Sequence, residues 1–132
     1  SILEDGHPVE ILRSAHDSGY MSHEFYRDYS LRRAKVSVET TMIALETAAA
    51  KNRQTPTYDT EHGITERYWL DPDKYTARVE WSVYGDKVSA LTFGEEPIAL
   101  TIHSRDIAES LRQIFTLVKK DTRLSEFSKS QS

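Results

Sequence analysis

The chain has 132 residues, which suits one compact domain, and its 17 Lys and Arg against 21 Asp and Glu give a formal net charge of -4 at pH 7. That balance argues against a dedicated nucleic-acid binder, which normally carries a basic face. The absence of cysteine excludes disulfides, thiolate metal sites, iron–sulfur clusters and a cysteine nucleophile.

No apolar run approaches the roughly 18 residues of a membrane span, and no secretory apolar segment opens the chain. A cytoplasmic location without membrane contact is expected. The chain starts at Ser1 with no initiator Met, which reads as a processed product or, preferably, a fragment of a longer protein.

The first 35 residues read as helical. Pro8 suits a first helical turn, and Val9, Ile11, Leu12 and Ala15 make a helix-like stripe that Gly19 stops. Ser22 is an N-cap candidate for a second helix to about Ala34, with Phe25, Tyr26, Tyr29 and Leu31 as its apolar side. Val36 to Leu45 is rich in β-branched residues and reads as a strand. Glu46 to Thr60 reads as a loop holding a short helix. Ile64 to Leu70 is a second strand, closed by the turn residues Asp71-Pro72-Asp73.

Arg78 to Tyr84 and Lys87 to Phe93 flank Gly85-Asp86, a Gly-first connection that suits a tight hairpin. That turn sets Val83 opposite Val88, Trp81 opposite Ala90 and Val79 opposite Thr92 on one apolar face. Glu80 and Leu91, with Ser82 and Ser89, fall on the other. Ile98 to His103 is the next strand. Ser104 then caps a helix to about residue 119, with Ile107, Leu111, Ile114, Phe115 and Val118 as its stripe against the sheet. Leu117 lies off that stripe, and a weak homodimer through it is expected. Residues 120–132 are polar and serine-rich and read as a flexible tail.

The expected fold is therefore α/β, more closely α+β. A mixed, largely antiparallel sheet carries a tight hairpin at 78–93, helices pack on it, and a long helix over 104–119 ends a single domain at 1–119.

The run from Val79 to Lys120 resembles the C-terminal effector domain of TrmB-like transcriptional regulators, a degenerate relative of the phospholipase D fold. The resemblance is carried by Tyr84, Gly85, Asp86, Lys87 and Val88, then by Ile107, Ala108, Arg112 and Phe115. Upstream it is carried by Phe25, Asp28, Tyr29, Arg33 and Lys35. It covers roughly residues 22–119. Three departures stand beside it. Lys119 replaces a frequent Trp, the segment before Phe25 is short, and no winged helix fits in the chain. The resemblance implies a ligand-sensing domain, with DNA bound only by a module outside this chain and a sugar or other small molecule as ligand.

Active phospholipase D-type enzymes use His-x-Lys-x4-Asp, with the His as nucleophile and the Lys stabilising phosphoryl charge. Lys87 stands at the Lys position, Gly85 at the His position and Thr92 at the Asp position. The resemblance thus implies no catalytic residues. A small phosphodiesterase or hydrolase using His103, and a plain protein-interaction module, remain as alternatives.

The five histidines show no metal-ligand spacing, there is no Gly-x-Ser-x-Gly elbow, and no glycine-rich phosphate loop exists. No cofactor or metal is expected. Arg33 and Lys35 belong to the one basic cluster, which suits an anion because guanidinium forks match phosphate or carboxylate; a solvated helix end that complements the dipole is the preferred alternative. Trp69 alternates with Tyr68 and is the candidate exposed aromatic for stacking on a sugar, whereas Trp81 belongs to the core. Lys87 and His103, the latter at a strand end before a helix cap, complete the candidate ligand-binding set.

Overall fold

The computed structural model describes residues 7–13, 39–53, 64–92, 95 and 97–125. The helix expected over Ser22 to Ala34, the candidates Arg33 and Lys35, and residues 126–132 lie outside them.

Among the described residues, seven strands form one sheet. In chain order they are β1 (Val9–Leu12), β2 (Thr40–Leu45), β3 (Ile64–Leu70), β4 (Val79–Tyr84), β5 (Lys87–Thr92), β6 (Ala99–His103) and β7 (Arg123–Leu124). Among the described residues, the helices α1 (Ala48–Arg53) and α2 (Arg105–Lys119) accompany them. The spatial order is β6-β5-β4-β1-β2-β3-β7. β1, β2 and β3 run parallel, and the remaining ladders are antiparallel. The α+β expectation holds.

The hairpin register holds pair for pair: Val83 faces Val88, Trp81 faces Ala90, and Val79 faces Thr92. Gly85 makes the turn with φ +54, a left-handed conformation that costs any other L-residue roughly 1–2 kcal/mol. A Cβ there would also stand 2.9 Å from the His7 ring. Asp71 caps the short 3-10 turn Pro72–Lys74 by accepting from the Asp73 N–H at 2.9 Å. Thr47 caps α1, accepting from the Ala50 N–H at 3.1 Å.

Three expectations are corrected. Val9–Leu12 is not the start of a helix but a strand between β2 and β4. Its four residues satisfy period 2 as well as period 3.6. Val9 and Ile11 enter the core on one face, and Leu12 enters it on the other. Pro8 sits before the first strand residue, where its missing N–H costs no ladder bond.

The stripe of α2 is narrower than expected. Ala108 and Phe115 are buried, Leu111 and Val118 pack beside them, and Ile107 and Ile114 are exposed. The apolar residues span more of the helix circumference than one sheet face can cover.

The body of the domain also runs past Lys119. Arg123 and Leu124 pair with β3, and the Ser125 N–H donates to the Arg67 carbonyl at 2.8 Å. The Arg123 guanidinium reaches the Glu46 carboxylate, and Lys51 reaches it at 3.1 Å. Hydrogen bonding to Lys51 leads in holding the Glu46 carboxyl below its usual range, with Arg123 adding to it.

Each face of the sheet has its own core. One holds Val9, Ile11, Met42, Ala44, Ile64, Trp69 and Tyr84, with Ala50 of α1 against it. The other holds Leu12, Ile43, Leu45, Leu70, Val83 and Val88 under Ala108 and Phe115 of α2. Trp81 packs against this second core but is only half-buried. On the first face Arg13 and Glu80 pair at 3.1 Å, so the buried Glu80 carboxylate keeps a cation beside it.

Candidate functional site

The ladder brings two of the sequence candidates together. Lys87 and His103 stand directly opposite each other on β5 and β6. Their face is the one turned away from α2, since Val88 and Ile102 alternate with them on the covered side. His103 is exposed, and the Lys87 ammonium stands 5.7 Å from the centre of the Tyr84 ring. In the next row Ser89 and Thr101 oppose each other, with their hydroxyls 3.4 Å apart. This part of the face brings together a cation, an imidazole and two hydroxyls.

Trp69 is not the exposed aromatic that was expected. It is buried in the first core, and the Arg67 guanidinium lies 5.5 Å from its ring centre. The indole has no open face for a ligand ring. β3 is covered on both sides, so parity with Tyr68 could not tell an outer position from a second core.

A cleft of about 340 Å³ opens elsewhere, between the start of β1, the start of β2, the β4–β5 turn and one flank of α2. His7, Glu10, Glu39, Thr41, Gly85 and Arg112 line it. Lys87 and His103 do not. The chain builds this cleft from two kinds of contact. First, α2 is tied to the hairpin turn: the Ser104 N–H donates to the Asp86 carbonyl at 2.9 Å, the Arg112 guanidinium donates to the Gly85 carbonyl, and Arg105 stands 3.8 Å from the Asp86 carboxylate. Arg112 also bonds Glu109 at 3.3 Å. Second, Glu10 accepts from the Lys119 ammonium at 2.9 Å.

Glu10, Thr41 and Glu66 form one row across β1, β2 and β3. Lys119 lies 5.5 Å from the Tyr68 ring, and the Tyr68 hydroxyl donates to Glu66 at 3.3 Å. Burial is the main cause that pushes the Tyr68 phenol above its ordinary value, and the Glu66 charge adds to it. The cleft therefore has carboxylates on the strand side and a guanidinium on the helix side, and suits a polar ligand with both donors and acceptors.

None of these cleft residues was singled out from the sequence as a ligand contact. Arg112 was visible as part of the family-like pattern. Glu10 carried a signal only once Val9–Leu12 is a central strand, because a carboxylate there needs a partner.

No family model matches the chain, and no curated protein matches it. Its fold resembles that of TrmBL2. That solved structure is of an archaeal chromatin protein with a novel mode of DNA binding. The TM-score is 0.59 at 12% sequence identity, and the match covers 92% of this chain and 46% of TrmBL2. The chain thus spans just under half the length of TrmBL2, and the likeness is one of fold.

Among the described residues, no group of three or more His, Asp or Glu could hold a metal ion, and no helix is long and apolar enough to cross a membrane.

Proposed function

We propose that this chain is the non-catalytic effector domain of a TrmB-like transcriptional regulator. In this reading the cleft between Glu10 and Arg112 takes a small polar ligand, such as a sugar, and a cytoplasmic location goes with the role. DNA contact belongs to a module outside the chain. The ligand acts through differential affinity for two arrangements of that module.

The observation that carries this reading is the fold match, in which 92% of this chain corresponds to 46% of a longer DNA-binding protein. The family-like residues Gly85, Lys87, Arg112 and Phe115 support it. So does the glycine at the position where an active phospholipase D-type enzyme needs its histidine.

The test is calorimetric titration of the purified chain with a panel of mono- and disaccharides. Binding that falls at least tenfold in Arg112→Ala and in Glu10→Gln supports the cleft. Loss of neither removes it.

A hydrolase is the second reading, favoured by one observation: His103 stands opposite Lys87. It requires turnover of a generic phosphodiester that disappears in both His103→Ala and Lys87→Ala. The effector reading expects no turnover above background and no change in either variant.

A further inference from the structure

The two edges of the sheet are finished differently. β7 closes one edge with two residues, one of them the charged Arg123. β6 closes the other with Ala99-Leu100-Thr101-Ile102-His103, and all but Ile102 are exposed. Edge strands are commonly kept from pairing with other chains by shortness, charge, proline or a bulge. β6 has none of these devices. It holds no Lys, Arg, Asp, Glu or Pro, and it pairs with β5 without a register shift.

The outer side of β6 follows from its inner bonds. The Thr92 N–H donates to the Ile98 carbonyl and the Ser104 N–H to the Asp86 carbonyl, both at 2.9 Å. Bonded and non-bonded pairs alternate along an antiparallel ladder. Residues 98, 100, 102 and 104 therefore bond inward. Ala99, Thr101 and His103 turn their N–H and C=O groups outward, where no strand among the described residues pairs with them.

The side chains on the two sides of this edge differ. On the side that α2 covers, Ile98 is 55% exposed and Leu100 is 43% exposed. Ile107, in the first turn of α2, is exposed as well. On the other side stand Thr101 and His103, with Ser89 and Lys87 beside them on β5 and Ser82 and Tyr84 beyond on β4. These two rows hold a cation and no carboxylate.

We propose that the free edge of β6 takes an extended segment of a partner protein as a further strand, with apolar residues towards Leu100 and acidic residues towards His103 and Lys87. The main-chain groups of Ala99, Thr101 and His103 supply the attachment, and alternate side chains of the segment supply the selectivity. Antiparallel pairing continues the β4–β5–β6 run and is the stronger arrangement per residue. Segment residues opposite Leu100 and Ile102 then cover apolar surface that water now meets. Those opposite Thr101 and His103 meet hydroxyls, an imidazole and the Lys87 charge. A second copy of β6 fits this edge less well, because it adds another Lys87 and His103 to the same face, where the charge calls for an anion.

The probe is a capped heptapeptide of alternating glutamate and valine, titrated into the whole isotope-labelled chain and followed by amide chemical shifts. The expected dissociation constant is on the order of 100 µM, with the largest shifts at Ala99, Thr101 and His103 rather than around the cleft residues Glu10 and Arg112. Glutamate N–H groups face β6 in this pairing and valine N–H groups face away. N-methylation of the glutamates should therefore abolish binding, and N-methylation of the valines should leave it within threefold. A peptide with lysine in place of glutamate should bind at least tenfold more weakly, and His103→Glu should reverse that preference. Thr101→Pro should abolish binding with unchanged far-UV circular dichroism, because the Thr101 N–H makes no bond to β5. Absence of binding at about 1 mM peptide, or binding that survives either Thr101→Pro or glutamate methylation, overturns the proposal. Sedimentation that shows self-association lost in Thr101→Pro also overturns it, by giving the edge to a second copy.

Discussion

The two flanks of α2 come from one helix and treat water in opposite ways. On one, Arg112 and Lys119 fold back on the domain and are partly buried against Gly85 and Glu10. On the other, Ile107, Ile114 and Leu117 face solvent. The difference lies in what the sheet offers each side. Towards the β4–β5 turn it presents the Gly85 carbonyl, which accepts from Arg112, and a row of Glu10, Thr41 and Glu66, so cations are welcome there. Towards the start of β6 it presents Ile98 and Leu100, themselves uncovered. The hydrophobicity of a helical residue therefore does not decide its burial; the facing surface does.

The sharpest way to break this contrast is to truncate one residue from the sheet-facing side and one from the outer flank. Phe115→Ala should lower the unfolding free energy by about 3–5 kcal/mol, since its ring is fully buried. Leu117→Ala should change it by less than about 0.5 kcal/mol in dilute, monomeric samples. Urea melts that give equal losses would mean that the helix is rotated.

Gly85→Ala tests the anchor of the polar flank. Positive φ and the contact with His7 should together cost about 1–2 kcal/mol. A neutral result in the same melts would mean that the turn relaxes freely and does not fix α2.

Glu10→Gln and Lys119→Met should each cost about 1 kcal/mol, with a coupling of roughly 0.5–1 kcal/mol in the double-mutant cycle. Both side chains are about a quarter exposed, so 1 M salt should shrink that coupling. Additive losses would reduce the pair to a coincidence of position.

The smallest effect is at alkaline pH. The Tyr68 phenol is raised in the folded chain, chiefly by burial. The folded state then holds this proton more tightly than the unfolded state does. The resulting stability is complete below about pH 10 and is lost as pH rises through the folded value. Tyr75 is raised for the same main reason and acts in the same window. Tyr68→Phe should flatten the fall in melting temperature as pH rises above about 10. An unchanged slope would assign the alkaline loss to other groups.

The hairpin was legible because one local feature, Gly85-Asp86, fixed every later pair through the period of two. β1 was not. Four residues cannot separate two periods, and the partners that make Val9–Leu12 a strand lie some thirty and seventy positions away. The apolar residues of α2 were legible, but the width and centre of the covered stripe were not, because Ala108 reads as unremarkable until a sheet presses on it. Lys87 and His103 could be named singly, yet their opposition depends on the β5–β6 register. The cleft was the least legible of all. Glu10 and Lys119 are 109 positions apart, and only the completed sheet makes them neighbours.

The place of β1 also bears on how the chain reaches this fold. β4, β5 and β6 follow one another and can pair as they emerge, with short loop closures. β1, β2 and β3 form a second group that needs crossovers. β1 alone joins the two groups, pairing with β2 on one edge and with β4 on the other. Its ladder to β4 closes a loop of about seventy residues and is the slow, entropically costly step. During synthesis β1 is made early and must wait for β4, with an unpaired edge in the meantime. A substitution that weakens β1 pairing, such as Ile11→Pro, should therefore slow refolding and promote aggregation far more than the same change in β6.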